Sequence, residues 1–156
     1  MDTKKQKYRK FIKRSMFTGF VGGLLLVLFS YLFYIFNFIE LSPKAYLLDS
    51  WSSRFLVKNW QGVVITYLLG IVMSLLIAIM YVLLFKKLFS LWLTIIFGTT
   101  LWGTVVFLWP VLFNNIPTIH NLSVNTIVSS LGLFILYGTF IGYSISFDYK
   151  QFNTID

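Results

Sequence analysis

A serine hydroxyl becomes a nucleophile only beside a base that takes its proton, and a histidine holds a metal only with other ligands at matching spacing. Ser74, Ser129 and Ser130 fall inside long apolar stretches with no His, Lys, Asp or Glu at the same depth, so no nucleophile and base can be paired. His120 is the single histidine, with no Cys or acidic pair at ligand spacing, which leaves a metal site unsupported. The chain has no cysteine, so disulfides, thiolate metal sites and dithiol redox chemistry are excluded. Glu40 and Asp148 close the ends of apolar segments, where carboxylates are solvated or tied to interfacial groups. Asn37 and Asn125 carry amides that could bind a solute, although such residues more often cap or cross-link helices, and Asn125 stands at a helix start. No glycine-rich phosphate loop or nucleotide fingerprint appears. The sequence thus predicts no catalytic residue, no cofactor and no metal.

The elements that must carry these residues follow from composition. Of 156 residues, 58% are hydrophobic and only 12% charged, roughly half the charged share of a soluble domain. With a mean hydropathy of +0.80, the solvent for this chain is lipid. Stretches such as Ile71–Phe85 are apolar at nearly every position, without the alternation of a membrane barrel, so helices are the spanning structure.

Charged residues divide the chain into pieces that can be compared with the roughly 20 residues a crossing needs. Ser15–Ile39 is 25 uncharged residues and Asn59–Phe85 is 27, one span each. Leu88–Phe147 is 60, and Pro110, Asn114, Asn115, Pro117, His120 and Asn121 break it into two. The expected architecture is an all-α polytopic membrane protein: four transmembrane helices in a bundle, at about 16–39, 61–85, 89–113 and 124–146. Residues 1–15 form a basic arm, 16–147 the transmembrane domain and 148–156 a tail. Basic residues are retained in the cytoplasm. An inward N-terminus places ten Lys and Arg inside and only Lys44, Arg54 and Lys58 outside, so both termini are expected to be cytoplasmic. In the first outer connection, Ser42 and Pro43 read as a cap and first helical residue, and Leu48, Trp51 and Phe55 share one face. A short surface helix over 43–56 is one reading, and a loop pinned by aromatics the other.

Helices gain nothing hydrophobic by associating in lipid, so small residues mark where they meet. Gly62, Thr66, Gly70, Ser74 and Ala78 recur every four residues along the second span. Ser15, Gly19 and Gly23 do the same in the first, and Gly138, Gly142 and Ser146 in the fourth. These faces are expected contact faces, either within the bundle or toward a partner. Thr94, Thr100 and Thr104 of the third span, with Asn125, could line a polar path, and Trp102 near mid-membrane needs an acceptor such as a Thr hydroxyl or a freed carbonyl. Pro110 is expected to kink or end that helix. Lys4, Lys5, Lys7, Arg9, Lys10, Lys13 and Arg14 abut a span directly, which favours contact with anionic lipid over nucleic acid.

Three stretches carry a family likeness: Arg14–Gly23, Phe36–Pro43 and, most specifically, Tyr137–Tyr149. Through them the chain resembles the YqhR family of conserved bacterial membrane proteins over nearly its whole length. The resemblance implies a four-span plasma-membrane protein and carries over no catalytic residue. The leading expectation is a non-enzymatic interaction or assembly factor working through its small-residue helix faces, with a second copy or another membrane protein as partner. The alternative is an oligomeric channel or facilitator for a small uncharged solute.

Overall fold

A computed structural model of the chain describes residues 2–49, 60–85, 88, 90–113 and 116–154. Among these the regular elements are all helical. Four helices are long and apolar enough to cross a membrane: α1 (Asp2–Ile35), α2 (Trp60–Phe85), α3 (Leu91–Leu112) and α4 (Val124–Thr154).

Two of these helices overrun the segments expected to flank the membrane. α1 begins at Asp2 within the basic arm, and α4 continues to Thr154 through the expected tail. Lys, Arg and Gln are good helix formers, so charge ends the hydrophobic span without ending the helix. Phe11 supplies the tertiary reason. It is 1% exposed, with its ring 5.4 Å from Tyr149 and 6.2 Å from Phe152, so the two extensions pack together and place both chain ends at one end of the bundle.

The other end of α1 stops four residues short of the expected 39. Asn37 takes a left-handed conformation (φ 57°), Phe38 N–H bonds to the Phe33 carbonyl and Asn37 N–H to that of Tyr34. This is a Schellman stop, completed by ring contact between Phe33 and Phe38 at 5.8 Å. The chain then turns back. Ser42 Oγ accepts the Ala45 N–H at 3.2 Å, and a wide π-type turn follows over Ala45–Asp49. Its Leu47 reaches down to 3.8 Å from the point where a Gly70 Cβ would stand. Residues 50–56 of the expected surface helix lie outside the described residues.

α3 is not uniform. Pro110 has no N–H and its ring crowds the carbonyl four residues back. The preceding turn, Thr104–Leu108, opens to π spacing, and the helix then resumes through Leu112 instead of ending at the proline. At the start of α4 the cap is Ser123, whose Oγ accepts the Thr126 N–H at 3.3 Å. Asn125, the expected capping residue, lies two positions further on and is exposed.

α1 packs against α2 and α4, and α3 against α4. α2 and α3 meet at the end that carries the termini, where Tyr81 and Phe97 rings stand 4.9 Å apart and Phe85 and Phe97 6.0 Å. Away from that aromatic contact the two helices are not packed together.

Candidate functional site

The ten residues expected on helix-contact faces, Gly19, Gly23, Gly62, Thr66, Gly70, Ser74, Ala78, Gly138, Gly142 and Ser146, are all buried in the single chain. Across the α1–α2 seam a Cβ on Gly19 would meet Ala78 Cβ at 2.8 Å, one on Gly23 would meet Ser74 Cβ at 2.8 Å, and Gly70 faces Val27. Along α3–α4 the backbone of Gly138 rests on that of Gly98, and a Cβ on Gly142 would meet the Thr94 methyl at 2.5 Å. Small residues here let backbones approach to a distance at which dispersion, the main attraction available in lipid, becomes large.

Two contact glycines fell outside the expected faces. Gly22 sits one position from Gly23 and therefore about 100° round α1, against Ile141 of α4. Gly98 is the α3 half of the Gly138 crossing. Neither belongs to a four-residue run of small residues on the faces above, because Gly22 marks a second face of the same helix and Gly98 stands between Thr94 and the bulky Trp102.

Hydroxyls complete the seams. Ser74 Oγ donates to the Gly19 carbonyl at 2.6 Å, so the Tyr137 hydroxyl, 2.7 Å away, donates to Ser74, and α1, α2 and α4 share one network. Nearer the termini, Tyr81 hydroxyl and Ser146 Oγ are 3.1 Å apart, and Ser146 donates to the Leu88 carbonyl at 3.3 Å. Trp102 Nε1 donates to Ser130 Oγ at 2.9 Å, not to a Thr or a freed carbonyl, because Ser130 stands directly across the α3–α4 seam.

The expected polar lining does not come together within one chain. Thr94 is buried against Gly142 with its hydroxyl on the Leu91 carbonyl at 2.7 Å. Thr100 and Thr104 are exposed and donate to the carbonyls of Ile96 and Thr100 in their own helix, at 2.8 and 2.9 Å. Asn125 is exposed at the start of α4. β-Hydroxyls closed onto their own helix have spent their one donor and offer a solute only acceptor lone pairs.

Where α2 and α3 part, the four helices enclose a partly open cavity of about 300 Å³. Val27 of α1, Met73 and Ile77 of α2, Leu101 and Val106 of α3 and Leu133 of α4 are among its walls. Pro43, Tyr46 and Leu47 line it from the re-entering connection, held there by a 3.0 Å bond from Trp109 Nε1 to the Tyr46 carbonyl. Burial pushes the Tyr46 phenol above its usual pKa of 10.0, so it stays protonated. Three hydroxyls on the lining are already bonded. Ser30 Oγ donates to the Leu26 carbonyl at 2.7 Å, Thr126 Oγ1 accepts the Glu40 N–H at 3.1 Å, and Ser130 donates to Ile127 O at 3.1 Å.

On the basic arm, Lys5, Arg9, Lys10 and Lys13 are exposed and Lys7 is half-buried. Lys4 lies in α1, its side chain outside the described residues. Arg14 differs from the rest: it lies 3.4 Å from Asp148 and 5.4 Å from the Phe152 ring centroid, so α4 already engages its charge. His120 sits exposed in a single turn of 3₁₀ helix, and among the described residues no three His, Asp or Glu gather as metal ligands.

No solved structure matches the chain. Among curated proteins it is similar to "Uncharacterized protein YqhR" of Bacillus subtilis (strain 168), 37% identical over 141 residues, covering 88% of this chain and 76% of the relative. The family model described as conserved membrane protein YqhR matches residues 1–156, the full length over which the four helices and their seams are built. The chain belongs to the YqhR family of conserved membrane proteins.

Proposed function

We propose that the protein acts by association within the bacterial plasma membrane, as a non-enzymatic interaction or assembly factor with both termini in the cytoplasm. The observation that supports this reading is that six polar side chains between the helices are engaged with one another or with backbone. Ser74, Tyr137, Tyr81, Ser146, Trp102 and Ser130 bond to one another or to backbone carbonyls. A proton relay or hydrolytic centre needs a titratable group poised for substrate, and the spans carry no acid, Lys, Arg or His to provide it. Because the small-residue faces are turned inward, a partner meets the outside of the formed bundle and not the α2 groove. Anionic lipid at the arm adds about 1 kcal/mol per basic residue near the surface, least for Arg14, which Asp148 already pairs.

Mass spectrometry of the intact protein released gently from its native membrane tests this reading. A stoichiometric second protein is the expected result; the chain alone, or with copies of itself only, overturns it. One observation favours the second reading, an oligomeric facilitator: Thr100 and Thr104 are exposed on α3, where a second copy could enclose them with Asn125. That reading requires flux of a small uncharged solute into reconstituted vesicles, lost when both Thr become Val.

A further inference from the structure

We propose that the cavity between α2 and α3 seats one acyl chain of a bilayer phospholipid, admitted sideways from the membrane. The inference does not depend on the association reading. Three observations carry it. First, the cavity lies at membrane depth, lined by Met73 and Ile77 from the middle of a 26-residue span. Second, its chemistry excludes water and polar ligands. A volume of 300 Å³ would hold about ten waters at roughly 30 Å³ each, and each water needs two to four polar partners. Most of the lining is aliphatic or aromatic, and Ser30, Ser74, Trp102 and Trp109 already spend their donors on protein, so a polar occupant would find few partners to replace those it leaves in water. Third, the cavity is partly open, and α2 and α3 are left unpacked beside it, on a side that a bundle of spanning helices turns toward lipid. The Tyr81, Phe85 and Phe97 rings close this seam at the end nearer the termini, while Tyr46 and Trp109 latch the roof at the other. A flexible chain one carbon wide fits a slot of this form, and the molecules at highest concentration along that seam are lipid tails.

The test uses the full chain in vesicles of phosphatidylcholine and phosphatidylglycerol, a fraction of which carries a diazirine within one acyl chain. Photolysis and peptide mass spectrometry then map the adducts. Leu76 is 57% exposed on the lipid-facing side and reports ordinary boundary lipid, whereas Leu133 is 4% exposed and meets a lipid chain only inside the cavity. The expected result is adducts at Leu133 as well as Leu76. Val106→Phe, which fills the cavity, should lower labelling of Leu133 roughly tenfold, equivalent to losing the burial of about two methylenes, with Leu76 unchanged. Ile77→Phe fills it from the opposite wall and serves if the first variant misfolds. Adducts at Leu76 without Leu133 would overturn the proposal, as would Leu133 labelling that persists undiminished in a folded, filled variant. A free fatty acid bearing the same diazirine, if it labels Leu133 where the phospholipid does not, would overturn the assignment to a phospholipid chain.

Discussion

Gly138→Ala adds a single methyl where the backbones of α3 and α4 already touch. The new Cβ would collide with Gly98 Cα and stand 2.6 Å from Gly98 N, against an ordinary contact of about 3.5 Å, so the helices must part by about 1 Å. A gap of that size forfeits roughly a quarter to a half of the dispersion attraction of each atom pair along the seam. Overpacking of this kind costs about 1–3 kcal/mol, with no flexible side-chain end available to move aside. Gly132→Ala on the same helix is the control, since a Cβ there meets nothing within 4 Å. Its effect should be neutral or a gain of up to about 1 kcal/mol from the better helix propensity of alanine. Reversible unfolding in mixed micelles titrated with dodecyl sulfate, followed by tryptophan fluorescence, yields both differences. A Gly138→Ala protein as stable as the parent would refute backbone contact as the determinant of the α3–α4 spacing.

Three further expectations follow from individual contacts. Ser74→Ala and Tyr137→Phe should each destabilise by about 0.5–1.5 kcal/mol, with the double variant costing less than the sum, because both belong to one buried bond; a strictly additive cycle in the same unfolding assay would separate them. Asn37→Gly should be tolerated while Asn37→Val loses about 1–2 kcal/mol, as only the second strains the left-handed stop of α1, and equal stabilities would argue against that stop. Phe11→Ala should cost about 3 kcal/mol and expose the end of α4 to protease, whereas Asp148→Asn should change stability by less than about 1 kcal/mol because Arg14 is 59% exposed; the reverse order of effects would mean that charge, not ring packing, joins the two extensions.

The four helices and the small-residue faces were legible for one physical reason. Lipid removes the hydrophobic drive for association, so spans announce themselves by composition and their seams by residue size. Features decided by a single neighbour were not legible. Reading charge as the end of a helix hid the extensions of α1 and α4, although Phe11, Tyr149 and Phe152 were three aromatics in segments expected to lie outside the membrane. Asn125 and Ser123 are both suitable caps, and only the backbone shows which one receives the Thr126 N–H. The acceptor for Trp102 was equally undetermined. Several hydroxyls lie within a turn of its level, and helix rotation selects Ser130.

The cavity and the tight seams share one cause. Where Gly19, Gly23, Gly98 or Gly138 stand at a crossing, backbones come into contact and hydroxyls such as Ser74 reach across. Between α2 and α3 there is no such residue pair at the contact. Their meeting point is instead Tyr81 against Phe97, two rings with centroids 4.9 Å apart, which act as a spacer at one end of the seam. The π-turn of Thr104–Leu108, forced by Pro110, changes the rotation of the upper part of α3 and brings Trp109 to the Tyr46 carbonyl instead of toward α2. A bundle with glycine at three seams and aromatic rings at the fourth closes unevenly. Replacing Phe97 with a smaller residue would therefore narrow the slot between α2 and α3, and it would do so from more than one helical turn below the cavity wall it changes.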